Sequence, residues 1–416
     1  MVSDARGAHQ PCQHALVKFA RGVCWSTGVG SGWSLSACSS LVVFCYALQD
    51  ATTQLKSCHA LRGDHGGRLG YEWPLSRQGT PKQLLELFDG RSLLRLAYER
   101  VAGLLPDDRI LVCTSRTYVD VVARQLPELP RENLLGEPVG RDSLSAVAWS
   151  AAILEQRDPE AVVAMLSADH IITPVEGFRA TLERAFSVAE ARPRALVTMG
   201  VVPTEAHTGF GYLHRGGCVD EELDAWQVSE FKEKPELHVA ERYLASGEYW
   251  WNAGMFVWRV RTLLEQLETL VPDTAEKVRR IAAHNELLDE LFPTLLKTSV
   301  DYAVMQPVSH GKGSAEVLAV GLDVSWKDVG SYQNLAEQFL LDEHGNRVDG
   351  RSMSLDSSGC VIINTAGGRH VVATMGLRDM LVVHTREATL VAPLAETGRI
   401  RELVELVREG HGAEYA

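Results

Sequence analysis

The sequence predicts an α/β protein with a doubly wound sheet over residues 63–345 and a small β-roll or β-helix cap over 346–416. Two observations carry this. Between residues 109 and 201, apolar runs of strand length alternate with amphipathic stretches of helix length, the pattern of parallel strands under covering helices. From about residue 346, short β segments recur at intervals of roughly six to ten residues, which suits a stacked roll. The 416 residues suffice for two domains.

Composition narrows the class. With 45% hydrophobic and 23% charged residues, the chain reads as a globular protein. A net charge of −13 argues against nucleic acid as the main partner, although a site can be locally basic or carry a metal. No apolar run reaches 18 residues, so no transmembrane helix and no membrane partner are expected. Five of the eight cysteines fall in the first 58 residues (Cys12, Cys24, Cys38, Cys45, Cys58), without the close pairs of a zinc site. Cys113, Cys218 and Cys360 lie far apart and read as reduced core cysteines, which points to a cytoplasmic protein.

Residues 1–62 differ from the rest. They are rich in Ser, Cys and Gly, lack a helical period, and read as an atypical N-terminal extension, partly disordered, or as the product of a start or frame error. Within them, Val42–Leu48 reads as one buried strand.

The sheet elements follow in order. Arg109–Thr114 reads as a buried strand, Tyr118–Leu126 as a helix, and Arg131–Pro138 as a second strand ending in a turn. Ser143–Leu154 reads as a helix with Asp142 as its N-cap. Ala161–Leu166 is a third strand, Val175–Glu190 a helix and Ala195–Val201 a fourth strand. Gly209–Leu213 and Trp226–Pro235 read as strands, Leu237–Ser246 as a short helix, and Trp250–Val257 as an aromatic-rich strand. Thr262–Leu270 and Ala275–Leu296 read as amphipathic helices, Glu316–Val320 as a strand, and Gly330–Tyr332 as a helix opening. The cap comprises Met353–Asp356, Cys360–Asn364, His370–Met375, Met380–His384 and Thr389–Pro393, closed by a helix over Ile400–Val407. It carries no catalytic constellation, so a packing or assembly role is expected, on the same chain or on a second copy. A homodimer is compatible with that reading.

Several constellations can carry chemistry. The cluster Gly63-Asp64-His65-Gly66-Gly67-Arg68-Leu69-Gly70 precedes Trp73-Pro74-Leu75-Ser76-Arg77, with Lys82 further on. Such a stretch is either a surface loop or a cradle of backbone N–H groups for phosphate, with a lysine adding charge. Asp169, in Ser167-Ala168-Asp169-His170, follows directly on a buried strand, where it can hold Mg²⁺ or cap the next helix. Asp328, in Trp326-Lys327-Asp328-Val329-Gly330-Ser331, offers a second carboxylate or a helix cap. Glu233-Lys234-Pro235 ends a strand and is a solvated charge pair or a sugar-phosphate contact. Asn252, in Trp251-Asn252-Ala253-Gly254-Met255-Phe256, suits a hydroxyl pair or a tight core turn. Glu137-Pro138-Val139-Gly140-Arg141-Asp142 leads into a helix N-terminus, which favours anions or base edges.

In order, the chain reads WPLSRxxxPKQ, EPxGR, ADH, TGFGY, FKEKP, WNAGMF, SVDYAVM and WKDVGS. This series, spanning about residues 63–416, is similar to the bacterial-type mannose-1-phosphate guanylyltransferases, also called GDP-mannose pyrophosphorylases. The resemblance implies a Rossmann-like nucleotidyltransferase domain with a small C-terminal β-helix-like domain. It implies Mg²⁺-dependent transfer of GMP from GTP to mannose 1-phosphate, with release of pyrophosphate. By resemblance, Lys82 and Arg68 act on the triphosphate, Asp169 and Asp328 hold the metal, and Lys234 takes the sugar phosphate. Glu233, Asn252 and Gly211 face the mannose, and Gly66, Gly67, Gly140 and Arg141 line the nucleotide. Some relatives add a phosphomannose isomerase cupin domain; the chain ends short of one, so a single activity is expected.

Two departures stand out. Where the family has GRN, this chain has Gly140-Arg141-Asp142, and an Asp cannot donate as an amide does. Where the family has AGGSGTRLWPLSR, an ungapped count back from Trp73 puts Gly66-Gly67 on the first two glycines but Tyr71 on the arginine; allowing three extra residues, Gly70-Tyr71-Glu72, puts Gly66-Gly67-Arg68-Leu69 on GTRL, with Asp64 bringing negative charge toward phosphate. The altered loop raises one alternative, a catalytically impaired homologue acting as a binding or regulatory protein; a further alternative keeps the enzyme and changes its substrate, to another sugar 1-phosphate or another NTP.

Overall fold

The computed structural model describes residues 40–45 by their backbone, and residues 73–76, 81–88, 90–412 and 415. Gly66, Gly67 and Arg68 lie outside the described residues, as do most of residues 1–62. The strands are β1 (Ser40–Cys45), β2 (Ile110–Ser115), β3 (Leu134–Glu137), β4 (Val162–Leu166), β5 (His170–Thr173), β6 (Ala195–Val201), β7 (Gly211–Asp220), β8 (Ala225–Lys232), β9 (Tyr249–Arg259), β10 (Glu316–Gly321) and β11 (Ser325–Asp328). The covering helices are α1 (Leu93–Val101), α2 (Val119–Gln125), α3 (Asp142–Arg157), α4 (Val175–Ala191), α5 (Leu237–Ser246), α6 (Val260–Leu270) and α7 (Pro272–Ala283), followed by the short α8 (Leu288–Leu291), α9 (Gln306–Ser309) and α10 (Tyr332–Ala336).

Among the described residues, one sheet takes nine strands in the order β3-β2-β1-β4-β9-β6-β10-β8-β7. β1 runs parallel to β2 and β4 and lies between them, with Val42 opposite Ile110 and Ala164. The strand expected at Val42–Leu48 thus stands near the centre of the sheet, inside the segment read as an extension. The chain order reverses between β2 and β4, and ligands of such sheets sit beyond the strand carboxyl ends at that reversal. Side chains of the parallel strands alternate between two cores. Leu111, Cys113, Val163 and Met165 pack with α3, α6 and α7, whereas Ile110, Val112, Ala164 and Leu166 pack with α1, α2 and α4. Burial on both faces explains why these strands read as continuous apolar runs.

The cap comprises β12 (Arg347–Asp349), β13 (Ser352–Leu355), β14 (Val361–Asn364), β15 (Val372–Met375), β16 (Met380–His384), β17 (Thr389–Pro393) and α11 (Ile400–His411). β12, β14 and β16 stack in parallel, as do β13 and β15, and β17 closes antiparallel on β16. This is a β-helix-like stack.

Three expectations need correction. The helix read over Ala275–Leu296 breaks: α7 stops at Ala283, and a short helical turn separates it from α8. Asp142 is not the N-cap of α3; it is the helix's first residue, with φ +68°, and its carboxylate accepts from Ser143 N at 2.8 Å. Cys218, read as a core residue, is exposed on β7, while Cys113 and Cys360 are buried. No helix among the described residues is long and apolar enough to cross a membrane.

Candidate functional site

Asp169 lies just past the end of β4, beside the reversal in strand order. The turn that carries it is held from below. Buried Arg100 of α1 donates to Ser167 O and His170 O, each at 3.2 Å. The Ser167 hydroxyl donates to Asp169 Oδ1. Lys82 Nζ sits 3.2 Å from Asp169 Oδ2 and donates to Val329 O at 2.7 Å. Val329 N in turn donates to Asp169 O at 3.0 Å. Three segments far apart in sequence therefore close on one point. Burial alone would raise the Asp169 carboxyl, but Lys82, His170 and the Ser167 hydroxyl outweigh it and hold the group well below the ordinary carboxylate range. Its side chain keeps 26% exposure, enough to meet a ligand.

Asp328 ends β11, which pairs antiparallel with β5 so that Asp328 stands opposite His170, the residue after Asp169. The structure thus brings the two predicted metal ligands to one end of the β5–β11 pair. Among the described residues, no group of three or more His, Cys, Asp or Glu side chains converges. A cation here would rest on two carboxylates and complete its shell with water and phosphate oxygens, which is the habit of Mg²⁺. The donor set fits that ion: hard oxygens, with Asp169 held ionised.

A second cluster forms around Asn252. The registers Met165↔Phe256 and Gly200↔Asn252 put Asn252 at the carboxyl ends of β4 and β6, on the same edge of the sheet as Asp169. Asn252 Oδ1 accepts from Thr198 Oγ1 at 2.9 Å and from Gly254 N at 3.2 Å. Its Nδ2 donates to Asp301 Oδ1 at 3.0 Å. Lys234 Nζ lies 2.9 Å from Glu233 Oε1. Burial works against the Lys234 ammonium, but Glu233, with Asp301 beyond it, raises its pKa above the ordinary value. Gly211 opens β7 against this cluster, and a Cβ there would stand 2.6 Å from Glu233 Oε2 and 3.2 Å from Asn252 Cβ. Only glycine lets the strand approach so closely. Glu233, Lys234, Asn252 and Gly211 therefore converge.

Sequence reasoning missed Asp301. Burial first, and then the Glu233 carboxylate, push its carboxyl up to about 7, against the pull of Lys234. The folded state therefore binds a proton that the unfolded chain has released by about pH 4, so stability falls as pH rises from about 4 to 7. Asp301→Asn should melt about 2–4 °C above the parent at pH 8, with the difference shrinking below pH 7 and vanishing near pH 3. Calorimetry across that range checks it; an equal shift at both pH values would remove the proton from the account.

Gly140 and Arg141 lie at the head of α3, after β3. The other missed residue precedes them. Glu137, the last residue of β3, is fully buried, and neither carboxylate oxygen has a hydrogen-bond partner among the described residues. Burial, and then Asp142, raise its pKa well above the ordinary value. Its signal in the sequence is a lone carboxylate closing the short apolar strand Leu134–Glu137. A buried carboxyl without a partner among the described residues calls for one outside them, in a neighbouring segment, a water or a ligand.

Residues 61–345 match the family model described as nucleotidyl transferase, and residues 350–406 the one described as MannoseP isomerase/GMP-like beta-helix domain. The chain is 34% identical over 365 residues to a mannose-1-phosphate guanylyltransferase of Klebsiella pneumoniae, covering 85% of this chain and 74% of that one. It is 36% identical over 362 residues to a Salmonella montevideo enzyme of the same name, covering 84% and 73%. Among solved structures, a mannose-1-phosphate geranyltransferase from Thermus thermophilus superposes with a TM-score of 0.72 at 31% identity, covering 89% of this chain and 98% of that one.

Proposed function

The chain belongs to the nucleotidyl transferase family, and on that premise we propose that it transfers GMP from GTP to mannose 1-phosphate, giving GDP-mannose and pyrophosphate. The observation that carries this reading is the placement of two complementary clusters on one edge of the sheet. One pairs Lys82 with an ionised Asp169 beside the strand-order reversal. The other sets a lysine among hydroxyl-binding groups, the chemistry of a sugar phosphate.

The reaction needs positioning and charge stabilisation rather than a protein nucleophile. An oxygen of the sugar phosphate attacks the α-phosphorus of GTP; the bond from that phosphorus to the bridging oxygen breaks, and pyrophosphate leaves with the electron pair. Lys234 holds the attacking phosphate, and Glu233 and Asn252 orient the sugar ring. Lys82, already turned toward the junction by Val329 O, neutralises charge on the triphosphate. Asp169 and Asp328 would hold Mg²⁺, which supplies neutralisation of the phosphate oxygens when bound. Glu137 would take the paired N1–H and N2–H donors of guanine, which gives the site its preference for GTP. A cytoplasmic setting accords with this reading and with the buried single cysteines Cys113 and Cys360.

The impaired alternative rested on the loop at residues 63–72, which lies outside the described residues. The described clusters hold Lys82, Asp169, Asp328, Glu233, Lys234 and Asn252, and relatives named mannose-1-phosphate guanylyltransferase support the active reading. Purified protein with GTP, mannose 1-phosphate and Mg²⁺ should release pyrophosphate at a rate that falls about 10²-fold or more in Lys82→Ala. No release above that variant would overturn the reading.

A further inference from the structure

The phosphate end of the site is built against the C-terminal cap. Val329, which accepts from Lys82 and donates to Asp169, is 1% exposed. It packs in one apolar cluster with Trp73, Leu75 and Tyr332 on one side and Val361, Leu381 and Ile400 of the cap on the other. Polar contacts fasten the same junction. Gln333 Nε2 on α10 donates to Leu394 O at 3.0 Å and to Thr397 Oγ1 at 2.8 Å, in the turn after β17. Arg347 Nη1 of β12 donates to Ala336 O and Phe339 O, each at 3.2 Å, holding the other end of α10. Asn334 Nδ2, between them, donates to Asp328 O at 2.7 Å. Ahead of the Lys82 segment, Trp73 Nε1 donates to Tyr415 O at 2.7 Å.

We infer that Gln333 and Arg347 are positioning residues. By fixing α10 on the cap they set Val329 and Asp328 against Lys82 and Asp169, so the cap tunes the nucleotide end of the site and leaves the sugar end alone. The asymmetry has a structural basis. The sugar cluster is drawn from β6, β7, β9 and the Lys234 and Asp301 segments, whose apolar neighbours Tyr212, Trp251, Met255 and Val300 belong to other clusters than the one shared with the cap. A cap that served only packing or assembly would bear on both ends alike.

The inference rests on the proposed activity only for the names of the two ends. Two readouts test it, one of them free of substrate. In Gln333→Ala, the backbone amide of Val329 should exchange hydrogen about 3–10-fold faster than in the parent, because both hydrogen bonds of Gln333 to the turn after β17 are lost and part of that loss reaches Val329. In turnover, the same variant should raise KM for GTP and the half-saturating Mg²⁺ concentration about 3–10-fold, with KM for mannose 1-phosphate within about twofold. Arg347→Ala should act in the same direction. Met353→Ser, on an exposed face of the same cap, should change neither readout. Wild-type exchange at Val329 with unchanged KM values would overturn the inference. So would a fall in kcat alone that tracks a fall in melting temperature. If the parent itself releases no pyrophosphate, the proposed activity fails while the exchange measurement still decides the inference.

Discussion

Asp169→Asn is expected to lower turnover about a thousandfold while leaving a folded protein. The magnitude follows from what the residue gathers. One carboxylate faces Lys82 at 3.2 Å, takes the Ser167 hydroxyl, and stands one residue from His170, whose strand partner is Asp328. An amide of the same shape keeps the hydrogen bond from Ser167 but loses the charge. The lost charge weakens Mg²⁺ and frees Lys82 from the pairing that aims it. A thousandfold loss is about 4 kcal/mol of transition-state stabilisation. The backbone frame does not depend on the charge, since Arg100 and Val329 hold the turn through main-chain groups. The pH dependence gives an independent check. Because the Asp169 pKa is depressed in the folded state, its charge adds stability that is full above the ordinary carboxylate range and is lost as pH falls from there toward the depressed folded value. The variant should therefore be less sensitive to acid than the parent. Turnover within about tenfold of wild type at saturating Mg²⁺ would refute the metal and charge roles together.

How far the sequence reaches depends on whether a feature is local. β2, β4 and β6 were legible because strands covered on both faces are continuous apolar runs. The insertion of β9 between β4 and β6, antiparallel to both, was not, because strand order is a long-range property. The break after α7 was missed because an amphipathic pattern runs on through Leu287, Leu288 and Leu291 while the backbone turns. Cys218 reads as apolar, yet it is exposed on β7, between two irregularities in the β7–β8 register.

The site divides in the same way. Lys82, Asp169, Glu233, Lys234, Asn252 and Asp328 stand in short motifs whose residue types advertise their chemistry. Asp301 was passed over inside a stretch read for its motif alone. What makes it unusual is burial beside Glu233, and burial comes from packing of distant segments. The cap was read as inert for a related reason. Gln333 and Arg347 are unremarkable in sequence, and their reach to the phosphate end passes through backbone carbonyls that no residue pattern records.

Glu137→Gln should gain stability and lose selectivity, and the opposite signs are what make the prediction sharp. The Glu137 carboxyl is fully buried, its oxygens lack hydrogen-bond partners among the described residues, and burial with the nearby Asp142 raises its pKa well above the ordinary value. The folded state therefore retains a proton that the unfolded chain gives up above about pH 4.3, so Glu137 costs stability increasingly as pH climbs from there toward its folded pKa. Glutamine removes that cost, and the variant should melt higher than the parent at pH 8. Binding should move the other way. Guanine presents N1–H and N2–H side by side, a donor pair that ionised carboxylate oxygens accept together and that offsets the cost of ionising them. Adenine offers no such pair and leaves that cost unmet. Glutamine presents one acceptor and one NH₂, so a guanine donor would meet another donor. A lost bidentate base contact is worth about 1–3 kcal/mol, so the preference of kcat/KM for GTP over ATP should fall about tenfold to a hundredfold. The KM for mannose 1-phosphate should stay unchanged, because the sugar cluster around Asn252 shares no side chain with β3. A purely structural Glu137 predicts the gain in melting temperature with GTP preference intact, and that pair of results would return guanine recognition to the Gly140–Arg141 turn.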